Sequence, residues 1–506
     1  MNILKRSYKV WLLILMGSVM WSLTMVKSGL VYDYGMGFWG PNGHDGVWHV
    51  ALASSLARGS LDMPIFAGEK IKNYHLGFDL MLASLHTITR IPIVNLYFQI
   101  LPPLLAIAIG WLVYRLTNNL WSVFFVYFGG SLGWVFRGGE SMFWAQQSMS
   151  TLINPPFALS LILMLTGLIL IQKKKYLWAG LVFAILPHIK IYAGLLAFGG
   201  LLVAGLKDRN LYKTLILSLI IYIATNYQLL TTSSSLVVWQ PGWFLETMMA
   251  LSDRFNWPKF YEAMINYRAA GNYPKAILAY SVALGIFVVG NMGTRIIGLF
   301  QTKNLFYTSI ITAGLVLPML FVQSGTAWNT IQFFYYSLFF AGILAGESLK
   351  KLPKLLKILI VMVTIPTAIQ TLPHYLPDRP PAKISTEELE ALKFLSRQPA
   401  GTVLTYPAVV KDTQAPRPLY EYESTAYVSA MSNKSSFLAD EVNLNIMGYA
   451  WQTRRKSVDE FWKNPSVNFL VDNNIKYVYL IKNAGRISFD MSNIFENFAI
   501  AIYRVK

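Results

Sequence analysis

Residues 10–30 form the apolar run VWLLILMGSVMWSLTMVKSGL, which is long enough to cross a lipid bilayer as one helix. The basic residues Lys5, Arg6 and Lys9 precede this run, as they would in a secretory signal peptide. The run is too long for a signal peptide, however, and no small-x-small cleavage site ends it. We therefore predict an uncleaved first transmembrane helix with a cytoplasmic N-terminus.

Apolar runs of similar length recur through the chain. Of its 506 residues, 54% are hydrophobic and 13% are charged, whereas a soluble domain carries about 25% charged residues. The sequence therefore predicts a polytopic α-helical membrane protein with about 11 transmembrane helices. The candidate spans are 10–30, 93–115, 119–136, 152–172, 176–188, 191–206, 211–229, 276–299, 304–322, 333–348 and 354–373.

The formal net charge of +18 could indicate a nucleic-acid partner, but the basic residues cluster in short loops between apolar runs. With the N-terminus inside, these loops all lie on the cytoplasmic side, as the positive-inside rule requires. We therefore interpret the charge as a topology signal and expect no nucleic acid. The residues are Arg115, Lys173, Lys174, Lys175, Lys207, Arg209, Arg295, Lys303, Lys350 and Lys351.

An odd number of spans places the C-terminal segment outside, together with the long first loop, residues 31–92. Within this loop, Val47–Arg58 and Leu76–Thr89 are apolar segments that we interpret as helices at the outer membrane interface. If Leu76–Thr89 crossed the membrane, later basic loops would face outward, against the positive-inside rule. The other predicted outer segments are 137–151, 188–190, 230–275, 323–332 and 374–506.

The C-terminal segment, residues 375–506, is predicted to form a soluble extracytoplasmic α/β domain beside a transmembrane module of residues 1–374. The capping-box pattern Ser385-x-x-Glu388 opens a helix in this segment. Predicted strands follow at Thr402–Tyr406, Lys476–Ile481 and Phe498–Val505.

The most unusual polar sequence is Gly43-His44-Asp45-Gly46-Val47-Trp48-His49, in the first outer loop. One interpretation is that Asp45, an acid between a glycine-containing turn and a helix, serves as an N-cap and has no other role. Alternatively, a partly desolvated Asp45 acts as a general base or a metal ligand. His49 would share a helical face with Asp45, but each histidine could equally be a packing residue.

Two further polar clusters lie in the predicted outer segments. His75 follows Tyr74, and Asp79 lies one helical turn later; an interfacial tyrosine alone needs no functional explanation. His188 and Lys190 interrupt an apolar stretch. There Lys190 either extends to the membrane surface or binds an anion such as a lipid phosphate.

Residues 321–336 are dense in amides and aromatic rings. Gln323, Asn329 and Gln332, covered by such rings, would suit a hydroxylated ligand. An aromatic belt with a turn explains the same composition. Arg254, in the long loop 230–275, is a further outer charge that is either solvated or part of a site.

The evidence for a metal is weak, because no Asp-x-Asp pair occurs in the first outer loop. A divalent metal held by Asp45 and Glu140 stays open, and no other cofactor is expected. The chain has no Walker loop, which argues against a nucleotide site. It also has no cysteine, which excludes a disulfide or a thiolate nucleophile.

These features resemble the C-type (GT-C) membrane glycosyltransferases, which include protein O-mannosyltransferases, aminoarabinose transferases and oligosaccharyltransferases. The resemblance covers essentially the whole chain. The stretches that carry it are Gly43–His49, Tyr74-His75, Asn154-Pro155-Pro156 and Trp328–Tyr336.

The resemblance implies transfer of a sugar from a polyprenyl-phosphate carrier to a glycan, lipid or protein acceptor at the outer face of the plasma membrane. It assigns Asp45 as the acid that acts as the catalytic base or helps to hold a metal. If Asp45 takes the proton of an acceptor hydroxyl, the oxygen attacks the anomeric carbon opposite the phosphate and the configuration inverts. Lys190, with His188 or Arg254, would stabilise the leaving phosphate. The expected substrate-binding residues are His49, His75, His188, Lys190, Arg254, Gln323, Asn329 and Gln332.

Two other classes of protein remain as alternatives. A lipid or sugar transporter or flippase would show pseudo-symmetric halves and polar groups reaching both membrane faces, and neither pattern is present in the sequence. A non-catalytic membrane assembly protein with an outer receptor-like tail is harder to distinguish from a transferase.

Overall fold

The computed structural model describes residues 2–226, 237–300, 304–324, 326–411, 414–485 and 491–505, with side chains from residue 8 onward. Four sequence predictions fall outside these limits: Lys303, the end of the span 211–229, and the side chains of Lys5 and Arg6. The chain divides into two compact units. We call Met1–Thr24 with Pro103–Tyr375 the helical unit, and Met25–Pro102 with Leu376–Lys506 the mixed unit.

The helical unit is built mainly from apolar helices, and a helix overlies each predicted span. Asparagine side chains begin four of them: Asn119, Asn154, Asn272 and Asn304 each accept a hydrogen bond from a backbone N–H of the first turn. The helices are Asn2–Ser22, Leu101–Thr117, Leu120–Phe128, Pro155–Gln172, Tyr176–Ile189, Ile191–Gly205, Leu211–Thr225, Tyr273–Met292, Leu305–Leu320, Gln332–Lys351 and Lys354–Tyr375.

Four helical stretches among the described residues are long and apolar enough to cross a membrane by themselves: Ile93–Thr117, Pro155–Gln172, Tyr273–Gly298 and Lys354–Tyr375. Six shorter apolar helices accompany them. The first helix differs from its prediction, because it ends at Ser22 rather than at residue 30. The number of membrane crossings stays a prediction.

The loops of the helical unit contain structure that the sequence did not predict. Residues 137–151 form two short 3-10 helices, Glu140–Phe143 and Met149–Leu152. The 230–275 region contains the helices Trp243–Ala250 and Pro258–Ala269. It also contains the strand Val237–Trp239, which pairs antiparallel with Phe321–Gln323.

The mixed unit contains two four-stranded sheets. In the first, Val31–Tyr32, Gly35–Phe38, Ala382–Ile384 and Arg417–Pro418 lie side by side in that order. The second has the order Thr402–Thr405, Ile475–Ile481, Ile500–Arg504 and Ser492–Glu496. Its Thr402–Thr405 strand runs parallel to Ile475–Ile481, and the other neighbours are antiparallel.

The helices of the mixed unit come from both of its sequence segments. The predicted capping box is present at Ser385, where both reciprocal hydrogen bonds form. The first-loop helix begins at Asp45, and its chain turns away at Gly59, whose φ is +75°. The helices are Asp45–Ala57, Gly77–Thr89, Thr386–Ser396, Leu419–Tyr422, Tyr427–Ser432, Glu441–Ile446, Gln452–Lys463 and Val467–Asp472.

Residues 31–92, the predicted first outer loop, pack with the C-terminal segment rather than standing apart from it. The strand Gly35–Phe38 pairs with Ala382–Ile384, and Ser436 N donates to Pro64 O at 2.8 Å. The compact unit therefore contains residues on both sides of the 374/375 boundary that the sequence predicts. The reason is backbone pairing between strands about 350 residues apart in sequence, which no local pattern reveals.

Candidate active site

Asp45 belongs to a chain of three polar side chains in the mixed unit. Nδ1 of His44 lies 2.9 Å from Oδ1 of Asp45, and its Nε2 lies 3.1 Å from Oδ1 of Asp440. The side chains of His44 and Asp440 are buried, whereas that of Asp45 is 50% exposed. We call these three residues the acid–histidine relay, and Asp45 is its accessible end.

Asp440 is held firmly at the buried end of the relay. It is the N-cap of the helix Glu441–Ile446, and Oδ1 accepts a hydrogen bond from Asn443 N at 3.1 Å. Oδ2 accepts a second bond from Asn443 Nδ2 at 2.8 Å. These bonds fix the carboxylate that orients His44.

Asp45 is not the N-cap of its helix. The cap position belongs to His44, whose side chain makes no capping bond, and Asp45 is the first helical residue. Its negative charge there interacts favourably with the helix N-terminus. N-capping therefore does not account for this acid, and its partial exposure leaves it accessible to a substrate.

The electrostatics of the relay favour a positively charged imidazole. Burial alone would lower the pKa of His44, but the charges and hydrogen bonds of Asp440 and Asp45 outweigh burial and raise the pKa well above its usual value. A doubly protonated ring can donate to both carboxylates at once. His44 thus holds the Asp45 carboxylate in one orientation.

A second acid–histidine pair joins the helix Asp45–Ala57 to the helix Gly77–Thr89. His49 Nδ1 is 2.8 Å from Oδ1 of Asp79, and both side chains are buried. The His49 ring stacks on Tyr97 at 5.5 Å between centroids and meets Phe78 edge-on at 5.8 Å. These contacts make His49 a residue that packs the helix Asp45–Ala57 onto Gly77–Thr89, so its role in substrate binding stays a prediction.

His75 lies at the edge of this cluster. Its ring is 4.7 Å from the ring of Tyr74, which in turn lies 5.6 Å from Trp48 and 6.4 Å from His49. Burial first, and then the charges of nearby acids that include Asp79 and Asp45, raise the pKa of Tyr74 well above its usual value. His75 is therefore close to the acidic cluster but is half-buried.

The helical unit brings several other predicted site residues together. Lys190 is 4% exposed, and its Nζ lies 3.4 Å from Asn154 Oδ1 and 5.6 Å from the centre of the Tyr192 ring. Tyr192 Oη donates to Gln323 Oε1 at 3.0 Å, and its ring packs edge-on against Phe333. Lys190 and Gln323 therefore share Tyr192 as a common neighbour.

A second group in the helical unit surrounds three tryptophans. Trp144 lies 5.5 Å from Trp243 and 5.2 Å from Trp328, and the Arg254 guanidinium lies 4.5 Å above its ring. Arg254 also pairs with Asp253 at 2.8 Å. This guanidinium is therefore already partly neutralised, which reduces its capacity to bind a phosphate.

The amides after Trp328 contact each other. Gln332 Nε2 donates to Asn329 Oδ1 at 3.3 Å. Asn329 lies in the 3-10 helix Ala327–Ile331, and Gln332 begins the helix Gln332–Lys351. The buried Oε1 of Gln332 has no hydrogen-bonding partner among the described residues, which makes it available to a ligand hydroxyl.

His188 contacts a different part of the helical unit. Its Nε2 lies 2.9 Å from Thr225 Oγ1 and 3.1 Å from Asn226 Nδ2, and its ring meets Tyr222 edge-on. These partners lie on or next to the helix Leu211–Thr225. His188 thus links two helices, and its assignment to a leaving phosphate stays a prediction.

Glu140 is a buried structural acid. It is 1% exposed and accepts hydrogen bonds from Met149 N at 2.9 Å, from Ser150 N at 2.8 Å and from Ser150 Oγ. Burial raises its pKa, although the bonds from Ser150 and Met149 and the charge of Arg295 oppose this effect. Its carboxylate joins the two 3-10 helices of its loop.

The donor groups do not fit a divalent metal. In the described part of the chain, no cluster of three or more His, Asp or Glu side chains has the arrangement of a metal site. Both ring nitrogens of His44 face carboxylates, and both oxygens of Glu140 accept hydrogen bonds. No step of the reaction is therefore assigned to a metal.

Among the residues that sequence reasoning missed, Asp440 is the most important. It lies 396 positions from His44, in a segment without an active-site motif, so no local signal marks it. Asp79, which follows His75 by one helical turn, pairs with His49. The i,i+4 spacing could suggest contact between Asp45 and His49, but each of them pairs with a different residue.

No family model and no curated protein matches this chain. Its fold is similar to that of an Archaeoglobus fulgidus oligosaccharyltransferase tethered with an acceptor peptide, at 11% identity over 94% of this chain and 69% of that chain, with a TM-score of 0.48. It is also similar to ArnT from Cupriavidus metallidurans bound to undecaprenyl phosphate, at 10% identity over 98% of each chain, with a TM-score of 0.49. The reaction of this chain is therefore inferred from its own side chains.

Proposed function

We propose that this chain is a membrane glycosyltransferase that moves a sugar from a polyprenyl-phosphate carrier to an acceptor hydroxyl. The observation that carries the proposal is the half-exposed Asp45 carboxylate, oriented by His44 and Asp440. A fixed, accessible carboxylate with a buried charged support is suited to general-base catalysis. The reaction takes place at the outer membrane face, with the N-terminus in the cytoplasm and residues 375–506 outside.

In the proposed reaction, Asp45 accepts the proton of the acceptor hydroxyl. The hydroxyl oxygen forms a bond to the anomeric carbon from the side opposite the carrier. The bond between that carbon and the phosphate oxygen breaks, and its electron pair leaves with the phosphate. The configuration therefore inverts, and the products are the glycosylated acceptor and polyprenyl phosphate.

Lys190 is the proposed partner of the leaving phosphate. A buried ammonium group is costly unless an anion or hydrogen-bond acceptors compensate for its lost hydration. Its Nζ lies 3.4 Å from Asn154 Oδ1, and a charged phosphate oxygen forms a stronger hydrogen bond with an ammonium group than a neutral amide oxygen does. The proposed carrier is of the same lipid class as the undecaprenyl phosphate bound to ArnT, but the support here comes from Lys190 itself.

The predicted site amides of the helical unit would orient the transferred sugar. Gln323 and Gln332 can each donate and accept hydrogen bonds, as sugar hydroxyls can. Phe333 and Trp328 add ring surface of the kind that covers apolar sugar faces. We therefore assign Gln323, Asn329 and Gln332 to the donor sugar.

The experiment that tests the proposal uses purified protein in lipid nanodiscs with a panel of polyprenyl-phosphate sugars. We expect at least one donor to be consumed with release of polyprenyl phosphate, and we expect EDTA to leave the rate unchanged. If every donor stays intact while the protein moves a fluorescent polyprenyl phosphate between the leaflets of proteoliposomes, a flippase replaces this proposal.

A further inference from the structure

The mixed unit contains a pocket whose wall residues include no member of the acid–histidine relay and no residue of the helical unit. It opens onto about 430 Å³ of space, part of which is open solvent. We call it the tyrosine pocket. Its walls are Thr405, Tyr406, Pro407, Ala408, Tyr420, Glu423, Ser424, Thr425, Tyr427, Val428, Leu438, Ala439, Glu441, Arg455 and Val458.

The pocket adjoins the acid–histidine relay through Asp440. Two of its wall residues, Ala439 and Glu441, flank Asp440 in the chain. Oδ1 of Asp440 lies 3.1 Å from Nε2 of His44, and Nδ1 of His44 lies 2.9 Å from Oδ1 of Asp45. A ligand in the tyrosine pocket would therefore lie beside the relay whose accessible end is Asp45.

The charges of the walls disfavour an anionic ligand. Arg455 is the one cation among the described wall residues, and it is already paired with Glu441 at 2.7 Å and with Asp459 at 3.0 Å. Glu441 also accepts a hydrogen bond from Ser424. Glu423 adds a carboxylate that can accept bonds from hydroxyl groups. The pocket thus offers acceptors to a neutral, hydroxylated molecule and repels phosphates and carboxylates.

One wall residue lacks the partner that a folded protein normally supplies. Thr425 is 7% exposed, and its Oγ1 has no hydrogen-bonding partner among the described residues. Leaving a buried hydroxyl unpaired destabilises the folded protein. A bound ligand with hydroxyl groups would satisfy Thr425 if it entered beside this wall.

The aromatic walls complete the match to a sugar. Tyr406, Tyr420 and Tyr427 contribute rings, and Tyr406 is braced edge-on against Trp462 at 5.0 Å. Rings cover the apolar C–H face of a sugar while carboxylates and hydroxyls bond its edge. A basic peptide could form ion pairs with the carboxylates, but it would give Thr425 and the rings no specific partners.

We propose that the tyrosine pocket binds the neutral saccharide part of the acceptor and presents its hydroxyl to Asp45. This inference rests on the proposed function. It names the acceptor as a glycan, in contrast to a peptide. Thr425 and Glu423 are the residues that select hydroxyl groups.

The test measures binding separately from transfer. Saturation-transfer NMR on the full-length protein in nanodiscs, with methyl α-D-mannopyranoside, methyl β-D-glucopyranoside and methyl β-D-galactopyranoside as probes, reports binding without a donor. We expect wild type to bind at least one probe, and Thr425→Val and Glu423→Gln each to weaken it about tenfold, as the loss of one good hydrogen bond predicts. The matched controls Thr453→Val and Glu460→Gln, at exposed positions of the helix Gln452–Lys463, should bind as wild type does.

The outcomes separate this inference from the proposed function. Asp45→Asn should retain glycoside binding, because Asp45 does not line the pocket. Binding by wild type that both pocket variants retain would overturn the inference, as would binding of a basic peptide with none of the glycosides. Glycoside binding that depends on Thr425 and Glu423, without transfer from any donor, would uphold the pocket and overturn the proposed glycosyltransferase.

Discussion

Asp45 and Glu140 are both acids in predicted outer loops, yet the fold gives them opposite surroundings. The side chain of Asp45 is 50% exposed and is supported by the buried His44. Glu140 is 1% exposed, and Met149 and Ser150 donate three hydrogen bonds to its carboxylate. One carboxylate is open to a substrate, and the other is fully used inside the protein.

The difference shows that burial and hydrogen-bond donors, rather than residue type, decide what an acid can do. A buried carboxylate that already accepts three hydrogen bonds has little capacity left for a substrate proton. A half-exposed carboxylate that an imidazole orients remains able to accept a proton. Chemistry is therefore assigned to Asp45, and loop structure to Glu140.

The largest expected effect comes from removing the basic oxygen of Asp45. Asp45→Asn should lower the transfer rate by about 10²–10⁴-fold, the usual contribution of a general base. Its thermal midpoint should stay near that of wild type, because Asp45 is half-exposed. Steady-state transfer, measured with the active donor from the panel, checks this rate. A wild-type rate in Asp45→Asn would contradict the catalytic role that distinguishes Asp45 from Glu140.

Glu140→Ala should give the reverse pattern. It leaves the backbone N–H groups of Met149 and Ser150 unpaired in a buried loop, and each orphaned donor costs about 1–3 kcal/mol. We expect a lower thermal midpoint in detergent but an unchanged transfer rate per folded molecule. A loss of rate without a loss of stability would show that Glu140 takes part in the reaction.

A smaller effect is expected from the buried end of the relay. The raised pKa of His44 means that the ring is protonated below that pKa and loses its proton as the pH rises through it. Asp440→Asn removes the larger of the two stabilising charges, so the His44 pKa falls and the alkaline limb of the pH–rate profile moves to lower pH. A shift of one unit would lower the rate on that limb by about tenfold.

The control for Asp440 is Asp62→Asn, which removes an exposed acid paired with Lys70 in the same unit. This variant should keep the wild-type pH profile. If Asp440→Asn lowers the rate equally at every pH, Asp440 only stabilises the fold and does not position His44.

Much of the architecture could be predicted from local sequence. Apolar runs predicted a helix for each proposed span, and Ser385 with Glu388 predicted the capping box that is observed. Both depend on neighbouring residues, through helical periodicity or spacing within one turn. The early end of the first helix at Ser22 could not be read from its apolar content, because four of residues 23–30 are large and apolar and continue the run.

The candidate site was only partly predictable. The unusual neighbours of Asp45 mark it in the sequence, but Asp440 contacts its neighbour His44 across 396 positions. Glu140 could not be distinguished from Asp45 by sequence, because its hydrogen-bond donors depend on how its loop folds. Long-range strand pairing, as between Gly35–Phe38 and Ala382–Ile384, creates the surroundings of such residues and leaves no local pattern.

Chemical rescue tests the role of Asp45 most directly. In Asp45→Ala, the lost carboxylate leaves space that a formate ion can reach, because Asp45 is half-exposed. We predict that Asp45→Ala transfers sugar at a small fraction of the wild-type rate and that added formate restores transfer in a saturable way. Transfer at the wild-type rate without formate, or no response to formate in a protein that still binds the donor, would contradict the assignment of Asp45 as the base.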